Sequence, residues 1–315
     1  MCYADVFSED VPSPIRIRAS VRSAAVSPLG LALCVTITLG CVSNHAGPDA
    51  AQATEAMAAG EYWQVLDRDL AMTPDGNGVA IVCHNCYADD LGTADANMHA
   101  TCERIHAAQE GGADLIELDV KLEDDVWRVG HKDDGSTTAA ILEDVLRDEM
   151  LREGDQVLFI EIKDRHVPIE RVRDLLSAVM DTGLARPNRP LILRAFPSRR
   201  PALEHALQLL DDEFLDYRSF VRMHALYTRS QTDSDDMDAR LEEITSTGFS
   251  AVEFDRESEN IFDVLKSARQ RGLGTNVWNV DHETQVQSCR EFREVSDTIT
   301  IEYPFQACRD AIEQP

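Results

Sequence analysis

The sequence predicts an α/β fold, a somewhat irregular (β/α)8 barrel, and three observations carry that expectation. Short apolar runs of β character recur at Val79 to His84, Leu115 to Val120, Val126 to His131, Val157 to Lys163, Leu191 to Arg194, Val221 to Leu226, Ala251 to Phe254, Thr275 to Val280 and Thr298 to Ile301. Helical patterns fill most of the intervals, at Ala100 to Glu110, Ile169 to Asp181, Ala202 to Leu210, Ala239 to Ser246 and Ile261 to Arg271. Several runs end in ionisable residues, which is where a barrel of parallel strands collects its reactive side chains. Such alternation over about 230 residues fits one closed barrel better than two small sheets. The nine runs exceed eight staves by one. Too few residues separate 115–120 from 126–131 for a helix, so the irregularity is expected there.

Composition narrows the function classes. The chain has 315 residues and 43% hydrophobic content, enough for a buried core. Its 30 Lys and Arg face 57 Asp and Glu, a net charge of −27. A field of that sign repels nucleic acid and anionic membranes, which argues against both as partners. A small phosphate ester remains compatible, because a bound divalent cation reverses the local potential inside an acidic cleft. Solubility in a salty habitat is the alternative meaning of the acidity.

In chain order, residues 1–20 show no period and are expected to be an extension without a fold of its own. Residues 21–41 read as an export signal: Arg22 precedes the apolar run Ala24 to Gly40, which ends at Cys41. The ending also resembles a bacterial lipobox, with Cys41 as lipid anchor and Thr38 and Leu39 as departures from it. Residues 42–75 read as a linker of small polar composition, with Glu61 to Met72 as a short amphipathic helix packed on the domain. The barrel is assigned to residues 76–315.

The stretch Gly112 to His131 concentrates the chemistry. Ile116-Glu117-Leu118-Asp119-Val120 alternates apolar and acidic residues, so a strand here puts both carboxylates on one face. Two like charges about 7 Å apart among apolar neighbours are costly unless a cation neutralises them. His84 ends the strand before, His131 the one after, and Glu161 and Lys163 share a face of the next. Three carboxylates without clustered cysteines or a close histidine pair suit one hard cation, Ca²⁺ or Mg²⁺. Two histidines beside it can serve as general acid and base, and Lys163 adds charge to bind an anion.

These residues resemble the glycerophosphodiester phosphodiesterases. Ala80 to His84 is similar to the family's first strand, Gly112 to Val120 to its Gly-Ala-Asp-x-x-Glu-x-Asp-Val motif, and Val129 to His131 to its second histidine. Ile160 to Lys163 is similar to its Ile-Glu-Ile-Lys, Val277 to Asp281 to its tryptophan motif, and Thr300 to Pro304 to its closing motif. The resemblance implies a TIM barrel of the PLC-like phosphodiesterase type acting on a small-molecule phosphodiester. It implies Glu117, Asp119 and Glu161 as metal ligands, His84 and His131 as the acid–base pair, and Lys163, Asn85 and Trp278 on the substrate.

The departures bear on substrate. Asn85 stands where the family has a phosphate-binding arginine, Ala96-Asn97 keeps one asparagine but loses a glutamate, and Lys132 intervenes between His131 and Asp133. An asparagine supplies neither charge nor a bidentate fork. The sphingomyelinase D-like phospholipases, which resemble this pattern without that arginine, are the second enzyme reading. A catalytically silent phosphate-ester-binding envelope protein is the third. Arg194 is the candidate to replace the missing charge, Glu253 and Asp255 are either extra ligands or solvent-facing carboxylates, and Trp127 is expected on the side of His131. Beyond Cys2, Cys34 and Cys41, the spacing suggests disulfides Cys86–Cys102 and Cys289–Cys308, leaving Cys83 unpaired.

Overall fold

The structure, a computed structural model, describes residues 61–63, 66, 69–131 and 138–315. The expectations for residues 1–20, for the export signal at 21–41, for Cys41 and for Lys132 and Asp133 lie outside the described residues.

The strands are β1 (Ala71–Met72), β2 (Gly78–Cys83), β3 (Leu115–Glu123), β4 (Val126–Val129), β5 (Ala140–Ile141), β6 (Val157–Ile162), β7 (Leu191–Ala195), β8 (Val221–Tyr227), β9 (Ala251–Asp255), β10 (Gly274–Val280) and β11 (Thr298–Ile301). Eight of them, β2, β3 and β6 to β11, pair in parallel in the order β2-β3-β6-β7-β8-β9-β10-β11, and β11 returns to β2 to close the barrel. All nine sequence-predicted runs are strands, and the surplus one is β4. It pairs antiparallel with β3, Val120 opposite Val129, so β3 overshoots the barrel and the chain folds straight back.

The longer helices cover the strand layer through apolar stripes. Ile169–Asp181 buries Val172, Leu175, Leu176, Val179 and Met180, the i, i+3, i+4, i+7, i+8 spacing of one helix face. Ala94–Glu110 begins earlier than its period suggests because Thr93 caps it, its hydroxyl accepting from the Ala96 amide at 3.2 Å. Among the described residues no helix is long and apolar enough to cross a membrane.

Alternation gives the barrel strands two different faces. On β3, Ile116, Leu118 and Val120 join the large apolar layer under the helices. Leu115 belongs instead to an inner cluster with Ala80, Val82, Val157, Phe159, Ile192 and Ala251. Leu115, Val157, Ile192 and Ala251 lie at or next to the start of their strands, and Ala80, Val82 and Phe159 further along. Two residues further along the same face come the polar ones: Glu117 after Leu115, Glu161 after Phe159, Arg194 after Ile192, Glu253 after Ala251, all buried. The interior therefore runs from apolar at the amino ends of the strands to charged at the carboxyl ends.

The described residues ahead of β2 differ from the expected amphipathic helix. Within the stretch expected to be a helix, Glu61–Trp63 form a 3-10 turn and Ala71–Met72 the strand β1, which pairs antiparallel with β2. Trp63 is 1% exposed and its indole donates to the Asp297 carbonyl at 2.8 Å. Tyr62 and Trp63 belong to the inner cluster, where they seal the apolar end of the barrel. Gly274 is required beneath them, since a Cβ there would lie 2.5 Å from the Tyr62 ring. The sequence signal was missed because a plug needs only two anchoring aromatics and has no period.

Candidate active site

β3 and β6 supply the centre. Their register sets Asp119 beside Glu161, and donor oxygens of Glu117, Asp119 and Glu161 lie within 4.8 Å of one another. All three residues are at most 3% exposed. Arg194 from β7 donates to Glu117, lies 3.0 Å from Glu161 and donates to Glu253 at 2.8 Å. Lys163 lies 2.7 Å from Glu161 and 3.1 Å from Asp119. Arg194 and Lys163 thus contact four carboxylates, an arrangement that leaves two negative charges when all are ionised.

The electrostatics follow from that excess. Burial and then the Asp119 charge push the Glu161 carboxyl up to about 8. Burial would raise Asp119 too, but the His131 hydrogen bond, the Lys163 charge and the Tyr87 hydroxyl hold it below the usual carboxylate range. Burial also works against the charged form of Lys163, and Asp119 and Glu161 overcome it.

These residues fit a hard cation. Asp119 Oδ1 is buried with no hydrogen-bond partner, an acceptor lacking the positive group it needs. The other carboxylate oxygens keep lone pairs beyond those used by Arg194 and Lys163, and an all-oxygen set is what Ca²⁺ and Mg²⁺ prefer.

Both sequence-predicted histidines are held by carboxylates. His84 Nδ1 is 2.7 Å from Glu302 Oε1, and His131 Nδ1 is 2.7 Å from Asp119 Oδ2. With Nδ1–H donating to the carboxylate, each ring presents Nε2 outward. His131 reaches the rim by a route the sequence left open. β4 runs back toward the barrel mouth, the Gly130 amide donates to the Asp119 carbonyl at 2.9 Å, and His131 follows.

Asn85 has φ of 51°, a left-handed conformation that asparagine tolerates. That turn aims its amide at Glu117 Oε2, 3.3 Å away, while its side-chain oxygen accepts from the Tyr87 hydroxyl at 2.9 Å. Tyr87, which sequence reasoning missed, also reaches Asp119 Oδ2 at 2.7 Å. Burial and the Asp119 charge raise its phenol, so it remains a neutral donor. Trp278 stands apart from the carboxylates on β10, half-buried, with its ring edge-on to Phe196 at 5.9 Å. Phe196 and the adjacent Arg199 carry no period and were not singled out either; Arg199 Nη1 lies 3.7 Å from Glu161.

Four secondary expectations are corrected. Arg194 does not offer its charge at the surface: it is 3% exposed, packed over the Phe159 ring and spent on carboxylates. Glu253 neither faces solvent nor joins the ligand cluster; its oxygens bind Arg194, His224 and Asn276. Trp127 packs on a helix, donating to the Arg171 carbonyl at 2.8 Å. Cys86 bonds Cys83 rather than Cys102, which is free, whereas Cys289–Cys308 is as expected. The turn at Asn85 brings Cys86 back against Cys83, something linear spacing does not reveal. Asp255 is 7% exposed and bound by the Asn279 amide, and Asn97 is buried in bonds to Leu91 and Thr138.

No family model and no curated protein matches the chain. Solved structures do. A protein from Galdieria sulphuraria assigned as a glycerophosphodiester phosphodiesterase superposes with TM-score 0.55 at 16% identity, over 74% of this chain and 97% of that one. Similarly assigned proteins from Silicibacter pomeroyi (TM-score 0.54, 14% identity, 74% and 93% covered) and Agrobacterium tumefaciens (0.51, 13%, 74% and 97%) follow. At such identities the likeness establishes the barrel fold.

Proposed function

We propose that this barrel is a metal-dependent phosphodiesterase that hydrolyses a glycerophosphodiester to glycerol phosphate and an alcohol. The observation that carries the reading is the buried Glu117, Asp119 and Glu161 cluster, with Asp119 Oδ1 unpartnered, between two histidines held by carboxylates. Glu117, Asp119 and Glu161 would hold one Ca²⁺ or Mg²⁺, which supplies a Lewis acid to the phosphoryl oxygen when bound. Lys163 adds charge toward the same anion. His84 Nε2 takes a proton from the attacking water as its oxygen bonds to phosphorus. His131, protonated on both nitrogens with Nδ1–H on Asp119, gives its Nε2 proton to the departing alkoxide as the ester P–O bond breaks and is left as the neutral ring. Glu302 accepts from Nδ1–H of His84 and so leaves its Nε2 free to take a proton, and Asp119 accepts from Nδ1–H of His131 and turns its Nε2 toward the leaving group. Trp278 and Phe196 offer an aromatic wall for the non-reacting part of the substrate.

The departure at Asn85 favours a second reading, a sphingomyelinase D-like phospholipase. There a substrate hydroxyl replaces water and the product is a cyclic phosphate. We also propose export through residues 21–41, with Cys41 as lipid anchor; mass spectrometry of the mature amino terminus tests it, an unmodified start at Met1 being the contrary result. The activity test is turnover of glycerophosphodiesters and lysosphingolipids by the full chain, with Ca²⁺, Mg²⁺ or chelator, beside Glu117→Ala. Glycerol phosphate as product supports the first reading and a cyclic lysolipid phosphate the second. Turnover indifferent to chelator sinks the metal assignment, and binding without turnover would mark a silent protein.

A further inference from the structure

β3 and β6 change sign together as they leave the barrel. On the face of β3 that bears Glu117 and Asp119, the next inward residue is Lys121; on β6, Glu161 is followed by Lys163 and then Arg165. The strands remain side by side beyond their last pair, Val120 with Ile162, because the Lys163 amide donates to the Val120 carbonyl at 2.9 Å. A cleft of about 440 Å³ opens there, lined by Lys121, Glu123, Lys163, Asp164, Arg165 and Arg199 with Leu122. Four cations and two carboxylates line a hollow in a chain whose net charge is −27.

Two of those cations keep donors to offer. Arg199 Nε is buried with no hydrogen-bond partner, and its Nη1 stands 3.7 Å from Glu161, beyond hydrogen-bond range. Its guanidinium is placed by the Phe196 ring, 5.7 Å away. Arg165 is exposed at the mouth. Lys163 is common to this cleft and to the carboxylate cluster, so an occupant of the cleft adjoins whatever binds at the cluster.

We infer that this cleft is a subsite for a second anionic group, carried on the alcohol portion of the substrate, with Arg199 as its main contact. Resting on the proposed diesterase activity, this selects diesters whose head group is itself anionic, such as a phosphorylated polyol, over those with a cationic head group. The planar fork of Arg199 suits a phosphate or carboxylate.

The experiment compares kcat/KM for glycerophosphoinositol 4-phosphate and glycerophosphocholine in the full chain with its cation. The native chain prefers the anionic substrate, and Arg199→Gln lowers the preference ratio by about 10- to 100-fold. Arg199→Lys, which keeps the charge and loses the fork, falls between. A ratio unmoved by Arg199→Gln, or a native preference for the choline diester, overturns the inference. Because a ratio is read within one preparation, partial unfolding does not mimic the effect. Calorimetry with myo-inositol 1-phosphate in chelator separates this inference from the activity on which it rests. Should no diester be hydrolysed, a Kd weakened by about tenfold or more in Arg199→Gln still supports the anion site; equal or absent binding in both proteins removes it.

Discussion

Asp119 and Glu161 are direct neighbours across two parallel strands, both buried. Like charges in that relation destabilise a sheet, and Lys163, which contacts both, together with Arg194 leaves the four-carboxylate cluster short of positive charge that a metal ion would supply. Adding Ca²⁺ or Mg²⁺ at about 100 times its Kd should raise stability by about 2.7 kcal/mol, seen as a higher Tm. Glu161→Gln should abolish that response while leaving the metal-free protein as stable as the parent or more so. A variant that is less stable yet still responds to the cation would contradict the argument.

The same pair sets a pH dependence. Glu161 is raised from an ordinary 4.5 to about 8 in the metal-free fold. A raised carboxyl means the folded chain holds the proton more tightly than the unfolded one. Its contribution is complete below pH 4.5 and is lost as pH rises toward about 8. Asp119, held below the usual range, does not titrate in that window. Thermal melts in chelator should therefore show falling stability from Glu161 between these limits, and the cation should suppress the fall. Metal affinity should climb over the same window, by up to about tenfold per pH unit for competition with one proton. Flat affinity across it would exclude Glu161 as a ligand.

How much of this was legible depended on whether a residue's role followed from its own strand. Glu117, Asp119 and Glu161 were readable because period-two alternation assigns a face without knowing the neighbours. The spare run at Val126 was visible as a conflict, too near β3 for a helix, and the hairpin resolves it. Tyr87, Phe196 and Arg199 sit in loops, where the fold, not a period, determines what they touch. Arg194 shows the limit from the other side. Its position at a strand end was legible, but its consumption by Glu117, Glu161 and Glu253 depends on strands that are distant in sequence.

Tyr87 links the turn at Asn85 to the ligand Asp119. Tyr87→Phe removes one donor from a buried carboxylate that keeps His131 and Lys163. It should cost about 1–2 kcal/mol in denaturant unfolding and lower kcat by altering the carboxylate that orients His131. An unchanged kcat would show that His131 is held without it.

At the opposite end, Tyr62 seals the barrel and its hydroxyl meets His224 Nε2 at 2.6 Å, with His224 Nδ1 2.9 Å from Glu253. Burial lowers the His224 pKa despite Glu253, so the ring is neutral, donating to Glu253 and accepting from Tyr62. Gly274→Ala drives a methyl into the Tyr62 ring and should destabilise by about 1–3 kcal/mol. In Tyr62→Ala the added methyl should cost measurably less, a coupling that a double-mutant cycle reads directly. Additive losses would place the strain elsewhere.

The two disulfides should separate stability from activity. Cys289–Cys308 spans 19 residues and Cys83–Cys86 only 3. Loop-closure entropy assigns about 3 kcal/mol to the longer and about 2 kcal/mol to the shorter, so Cys289→Ala with Cys308→Ala should lower Tm more than Cys83→Ala with Cys86→Ala. Activity should follow the reverse order. The short bridge encloses only His84 and Asn85, the proposed base and the residue whose amide meets Glu117. Opening it frees the left-handed turn at Asn85 and with it the placement of His84 Nε2, whereas the long bridge ties two helices on the outer layer. Measuring Tm and kcat on both double variants decides it: if the Cys83 and Cys86 replacements leave kcat untouched, the turn is held by its hydrogen bonds from Tyr87 and to Glu117, and the bridge serves the fold alone.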